Sequence, residues 1–335
     1  MFIFIESNLL WRMFTIRKNN KIMQSGNTME NNKQIKLSWT PIVILLAGVC
    51  CLLWGSAFPC IKLGYKFFRI ESGETTSQIL FAGTRFAIAG AMVIITFSII
   101  NRKFIKPSSP GKIATLSVFQ TILQYVPFYI GLAHTTGVKS SIINGSAVFI
   151  TILISCLIFK QEKLTGKKII GSVLGFLGIV IVNVVGNGFD LSFTLLGEGF
   201  ILISTISSAF SSSFIKRFSK TTDVVMLSGY QFFFGGVVMA TIGLIAGGRL
   251  NSVAPYSWVL LCYMGFISAA AYTIWSILLK YNNVSKISAY KFMNPLFGVV
   301  LSFIILQEKS QLGIQTVIAL ILVCAGIYVV NRENK

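Results

Sequence analysis

GTRFAIAG at residues 83–90 recurs as GYQFFFGG at residues 229–236, an offset of 146. At the same offset Leu132 meets Leu278, Val138 meets Val284, and the triplet Gln161, Glu162, Lys163 meets Gln307, Glu308, Lys309. Small shifts enter toward the ends of the halves. GIVIVN at 178–183 matches GIYVVN at 326–331 with an offset of 148, and Ser56-Ala57-Phe58 matches Ser208-Ala209-Phe210 with an offset of 152. Apolar helices align easily by chance, but a polar triplet and a glycine-aromatic signature at one offset are not explained by apolarity. The chain reads as a duplication, with one unit over 38–186 and the other over 193–332.

What is duplicated follows from composition. Of 335 residues, 54% are hydrophobic and 12% charged, against roughly 25% charged in soluble domains. Mean hydropathy is +0.76, so a water-soluble globule is excluded. A window of about 20 apolar residues, the length that crosses a bilayer as a helix, fits near 40–61, 77–100, 113–133, 138–159, 166–186, 193–215, 224–246, 255–279, 286–306 and 311–330. The third, with Gln120, Gln124 and Pro127, and the sixth, with serines at 207, 208, 211, 212 and 213, are the most polar. Backbone polar groups find no water in lipid and must bond internally, and the period-two alternation of a membrane barrel is absent, so these segments are expected to be helices. The expected fold is an all-α membrane protein of ten transmembrane helices. Each repeat holds five, an odd number, so the second enters the membrane from the opposite side. The result is two inverted five-helix repeats, an arrangement that permits two mirror-related conformations around a midplane site.

The net charge of +19 would suggest nucleic acid on a soluble protein. Here it sorts by loop. With the N-terminus inside, the inward segments hold 22 of the 29 Lys and Arg residues and the outward segments six, with Arg85 inside helix two. Cytoplasmic loops carry such an excess, so both termini are expected in the cytoplasm, and no nucleic-acid partner is implied. Residues 1–37 form an N-terminal extension with two readings. Translation begins at Met23 or Met29, or the segment lies as a basic amphipathic stretch on the inner leaflet. No cleavable signal peptide fits, because the basic residues follow the first apolar cluster. Cys50, Cys51, Cys60, Cys156, Cys262 and Cys324 lie mostly in apolar stretches without CxxC spacing, and His134 is the sole histidine. Neither a disulfide framework nor a metal centre is expected, and no cofactor.

LLWGSAFPCIKLG at 52–64, TRFAIAGAMV at 84–93 and SIINGSAVFITILISCLIFKQEKLTGKKIIGSVLGFLGIVIV at 141–182 resemble the first repeat of EamA-type proteins of the drug/metabolite transporter superfamily. GEGFILISTISSAF at 197–210 and the stretch from Ala289 to Arg332 resemble the second. The likeness covers about 38–332. It implies a ten-helix carrier with a central cavity formed by helices 1–4 and 6–9, helices 5 and 10 being peripheral, and small metabolites such as amino acids as substrates.

Several residues are candidates for the substrate pathway. Arg85 lies about eight residues from the outer end of helix two, where a charge costs about 2.5 kcal/mol or more unless it faces protein or water. It would attract a carboxylate or phosphate, or else serve structurally near the outer interface. Lys291 precedes Asn294 and Pro295, and a proline frees a helix carbonyl that is tolerated beside a cavity; the alternative is a lysine snorkelling beside a kink. The equivalent stretch of the first repeat carries Asn144. Gln120 and Gln124, with Tyr125 just off their face, and Tyr272 and Trp275 at corresponding depth in helix eight offer amides and rings suited to a small amphipathic ligand. They would equally suit helix bridging and an interfacial belt. Trp54, Gly55 and Ser56 read as a close helix contact, Pro295 as a kink. Glu162 and Glu308, beside lysines at loop starts, read as solvated, and Glu198 as complementing a helix N-terminus. No intramembrane carboxylate is evident for ion coupling.

The leading expectation is a secondary carrier exporting a small metabolite across the cytoplasmic membrane, with the lipid bilayer and the solute as partners and a homo-oligomer left open. A membrane-embedded enzyme needs a nucleophile with a base, a carboxylate pair or a metal, none of which the spans supply. A sensor or assembly factor without transport is the third class. The orientation has a direct test. A fluorescent protein fused after Lys335 should fluoresce, and alkaline phosphatase fused there should be inactive. The reverse pattern would overturn the loop count.

Overall fold

The computed structural model describes residues 37–71, 73–135, 137–184, 193–294, 296–297, 301 and 314–332, and among them every regular element is a helix. The N-terminal extension before residue 37, Pro295 and the second Gln-Glu-Lys triplet lie outside the described residues. In chain order the helices are α1 (Thr40–Phe67), α2 (Thr75–Ile100), α3 (Pro110–His134) and α4 (Gly137–Gly145, then Ala147–Leu153 closing in a π turn, Ile154–Ile158). They continue as α5 (Gly166–Val184), α6 (Leu195–Phe218), α7 (Val224–Ile245), α8 (Pro255–Tyr281), α9 (Val284–Ala289, tightening into a 3-10 turn at Tyr290–Phe292) and α10 (Ile314–Asn331). Among the described residues six are long and apolar enough to cross a membrane: α1, α2, α3, α6, α7 and α8. The two most polar stretches of the sequence, in α3 and α6, are among these six.

The starts of these helices follow local chemistry. Pro41, Pro110 and Pro255 occupy first turns, where the missing N–H has no helical partner to lose. Asp223 caps α7, its carboxylate accepting from the N–H groups of Val225 (2.9 Å) and Met226 (2.8 Å), a contact worth about 1 kcal/mol. The outer surface is apolar, with Ile95, Ile99, Leu244, Ile245, Val259 and Phe266 exposed, while serines fill the interior. On α6, Ser204, Ser207, Ser211, Ser212 and Ser213 are buried. Ser204 donates to the Gln124 carbonyl and Ser207 to that of Phe119 (2.7 Å). The Phe119 carbonyl belongs to a π-helical stretch of α3, Ser117–Ile122, where backbone groups leave the regular ladder and need other partners in a dry interior.

The closest helix pair is α2 with α7, and it is antiparallel. Leu80 faces Gly243, Gly83 faces Ala240, Gly90 faces Phe233 and Ile94 faces Gly229, each step forward on one helix matching a step back on the other. The contact is reciprocal. A Cβ on Gly90 would meet the backbone of Phe233 and Gly229, and a Cβ on Gly236 would meet the backbone of Ala87 and Gly83. Lipid offers apolar side chains no less comfort than protein, so helix association in a bilayer rests on such close backbone approach. α5 and α10 pair the same way: Gly171 lies against Gly326 and Val330, and Gly178 against Ala319 and Val323. Gly236→Leu should lower the melting temperature sharply, by the equivalent of about 3 kcal/mol or more of overpacking, whereas Gly111→Leu, with open space around its Cα, should leave it near the parent value. Thermal unfolding in detergent distinguishes the two.

Candidate functional site

The interior between α1, α2, α3, α7, α8 and α9 is filled by aromatic rings. Tyr272 and Trp275, three residues apart, share one face of α8, as helical spacing requires. The Trp54 ring of α1 stands edge-on to both, with centroids 5.0 Å from Tyr272 and 5.0 Å from Trp275. From α3, the Tyr125 hydroxyl bonds that of Tyr272, and Gln124 Nε2 reaches the same oxygen at 3.5 Å. Phe86 of α2 packs on Tyr125 (4.4 Å) and stacks on Phe232 of α7 (5.4 Å), which in turn meets Tyr272 (4.8 Å).

Two cations border these rings. Arg85 is buried (4% exposed), about 15 Å along α2 from its start at Thr75 by helix rise, with Nε donating to Ser268 Oγ at 3.0 Å and the guanidinium over the Phe86 ring at 5.2 Å. Its guanidinium is therefore enclosed by the bundle and does not stand on its surface. Lys291 of α9 is half-buried, with Nζ over the Trp275 ring at 5.7 Å. The neighbouring Cys51 thiol donates to the Tyr290 carbonyl at 3.2 Å. Neither Arg85 nor Lys291 has a carboxylate partner among the described residues. Four polar atoms close by lack any hydrogen bond: Trp54 Nε1, Trp275 Nε1, Gln124 Oε1 and Asn294 Oδ1.

A continuous chain of contacts thus joins Gln124, Tyr125, Tyr272, Trp54, Trp275 and Lys291, with Arg85 reaching it through Phe86. Gln120 is buried in the π stretch, which breaks the α-helical register that placed it on one face with Gln124. Asn144 stands apart: it is exposed and accepts from Thr205 of α6 at 3.4 Å. Gly55 is buried and Ser56 bonds its own helix at the Leu53 carbonyl (2.8 Å). Trp54, grouped by sequence with those small neighbours as a packing residue, instead joins the aromatic chain. Phe86 and Phe232 are equivalents at the 146-residue offset, in the matching stretches GTRFAIAG and GYQFFFGG, but that match marked them as part of the repeat and not of a site; Ser268 carries no signal beyond small size.

Glu162 overturns its sequence reading as a solvated loop residue. Its side chain is 4% exposed and pairs with Lys168 at 2.7 Å. It also accepts from Ser285 N at 2.9 Å, from the Ser285 hydroxyl and from Ser155 Oγ at 3.3 Å. The α4–α5 loop is thereby tied to the start of α9. At the other end of the bundle Glu198 is buried and accepts from Thr194 N (2.7 Å), the Thr194 hydroxyl (2.8 Å) and the Thr135 hydroxyl, with Lys139 Nζ at 3.5 Å. It ties the start of α6 to α3 and α4, more than a contact with its own helix end.

Residues 41–184 and 195–332 each match the EamA-like transporter family. The chain belongs to that family and is an integral membrane protein. It is 26% identical over 298 residues to an uncharacterized transporter of Archaeoglobus fulgidus, covering 87% of this chain and 99% of that one. With the uncharacterized transporter YvbV of Bacillus subtilis the identity is 25%, over 87% and 92%. A chloroplastic WAT1-related protein of Arabidopsis thaliana is 26% identical, over 92% and 72%. A solved crystal structure shares the fold at TM-score 0.70 and 16% identity, over 86% of this chain and 96% of that one.

Burial by itself would raise the Glu162 carboxyl, but hydrogen bonds from Lys168 and Ser285 outweigh it and hold the group below the ordinary carboxylate value. A depressed folded-state value stabilises above the unfolded value and loses that stabilisation as pH falls through the folded one. Glu162→Gln should therefore be less stable at neutral pH by roughly 1–3 kcal/mol. The difference from the parent should shrink as the pH drops below about 4. Melting curves from pH 3 to 8 read this directly, and a difference constant with pH would refute it.

Proposed function

We propose that this chain is a secondary carrier that moves a small metabolite, such as an amino acid, outward across the cytoplasmic membrane by alternating access. Ten spanning helices form two inverted five-helix repeats, 38–186 and 193–332, and both termini face the cytoplasm. The carrying observation is the reciprocal α2–α7 contact. Gly90 and Gly236 are equivalents at the 146-residue offset, and so are Gly83 and Gly229, and Ala87 and Phe233. Gly90 abuts Phe233 and Gly229 while Gly236 abuts Ala87 and Gly83, so each equivalent meets the other's neighbours, as a two-fold axis through the contact requires. The antiparallel α5–α10 pair, built on GIVIVN and GIYVVN, supports the same axis. Halves related this way can exchange conformations about a site between them, and the aromatic chain with Arg85 and Lys291 spans helices of both halves.

The Glu162 and Glu198 ties cross between the halves at opposite ends of the bundle, positions from which they would hold one entrance closed while the other opens. Membership of a transporter family speaks against an enzyme, and the repeat gives a sensor or assembly factor no role. Uptake of radiolabelled amino acids and organic acids into proteoliposomes, with and without a proton gradient, tests the carrier. We expect flux of at least one solute, reduced by tenfold or more in Trp275→Ala. Absence of flux across the whole panel would count against carriage.

A further inference from the structure

We infer that the solute held by this site is an organic anion, bound with its carboxylate or phosphate at the Lys291 ammonium and its apolar or aromatic body against Trp54, Tyr272 and Trp275. This deepens the carrier reading and rests on it for the assumption that the aromatic chain is the substrate site. Lys291 enters α9 seven residues after Val284, about 10 Å from the helix start. Among the described residues its ammonium lies over the Trp275 indole at 5.7 Å, with the Cys51 thiol as a further neighbour. A cation at that depth requires an anion or water to offset its lost hydration. None of the ten acidic residues of the sequence falls in α1, α2, α8 or α9, so none of these helices supplies a carboxylate to it.

The neighbouring donors point the same way. Trp54 and Trp275, whose rings are 5.0 Å apart, both carry buried indole N–H groups with no acceptor. An indole N–H only donates. Around the facing Trp54 and Trp275 rings the described residues thus gather a lysine and two orphan indoles, three sets of donors with no carboxylate among the described residues beside them. Arg85, also without a carboxylate, adds a second positive charge across the rings. The orphan acceptors nearby, Gln124 Oε1 and Asn294 Oδ1, are neutral amides. They suit a hydroxyl or a water and carry no charge that would neutralise a solute ammonium. A cationic solute would meet two like charges, while an anion completes the donor set. The rings supply large rigid surfaces for a planar or aliphatic body.

The test uses the full chain in nanodiscs and three ligands of one shape: phenylacetate, phenylalanine and phenethylamine, which present an anion, a zwitterion and a cation on the same ring. Thermal unfolding and tryptophan fluorescence are titrated for each. Phenylacetate should give a saturable response at a concentration at least tenfold below that needed for phenethylamine. Lys291→Met should abolish the phenylacetate response and, by removing an unpaired cation, melt at a higher temperature than the ligand-free parent. Lys291→Arg, which keeps the charge, should retain the response and covers the case in which the methionine variant does not fold. Equal or tighter binding of phenethylamine, an undiminished phenylacetate response in Lys291→Met, or a flat response to all three would overturn the inference. Each leaves the carrier reading to the flux measurement. Conversely, saturable anion binding without flux of any solute would retain the anion site and sink the carrier.

Discussion

The antiparallel crossing of α2 and α7 is the constraint on which the rest of the bundle depends. At Gly83, Gly90, Gly236 and Gly243 the two backbones come so close that no side chain fits between them. In a bilayer this replaces the hydrophobic effect as the source of association, because apolar side chains gain little by leaving lipid for protein. The crossing sets the depth of every residue on these helices. Phe86 and Phe232 stack because Gly83, Ala87, Gly90 and Gly236 remove bulk from the flanking turns. Arg85 is carried with Phe86 into the interior, beside Ser268. A bulky residue at Gly90 or Gly236 would therefore spread the helices and separate the rings on which the site is built.

Around that axis polar chemistry is placed where regular helix geometry fails. The π stretch of α3 rotates Tyr125 toward Tyr272 and presents the Phe119 carbonyl to Ser207. The serine run of α6 makes that helix look poorly suited to a membrane, yet Ser204 and Ser207 bond α3, Ser211 and Ser212 bond the Ser208 carbonyl of their own helix, and Leu202, Ile203 and Ile206 face out. Each irregularity is compensated by a side chain from another helix, the condition under which distorted backbone persists in a dry interior. The two glutamates at the bundle ends obey the same rule. Both are buried, and both are surrounded by donors from other segments, which keeps their charges affordable.

Much of the fold was legible in the residues. The repeat offset, the apolar windows and the family resemblance all follow from local pattern, and the EamA-like match spans the same two segments. The candidate site is partly legible: Arg85, Gln124, Tyr125, Tyr272, Trp275 and Lys291 stand out as polar or aromatic residues in apolar surroundings, and the structure joins them in one chain of contacts. Asn144 stood out for the same reason but faces Thr205 instead. Trp54 is not separable by sequence from its small neighbours, because a tryptophan beside Gly55 and Ser56 looks the same whether its ring packs or lines a site. Glu162 departs from its local pattern because a carboxylate among loop lysines is solvated unless a distant helix covers it, and Ser285, 123 residues away in the chain, does so.

By itself the sequence determined what local composition and motif can determine: helices, their membrane setting and the family, whose model matches at 41–184 and 195–332. These depend on the hydropathy of contiguous segments and on spacing, which are properties of the linear chain. The tertiary structure decided which rings meet, that Arg85 is buried against Ser268, that Glu162 clasps α9, and that Lys291 faces Trp275 with no carboxylate beside it among the described residues. Those relations depend on helix rotation and on close approach between different helices, many of them far apart in the chain, which glycine positions and a π turn set only once the helices are packed.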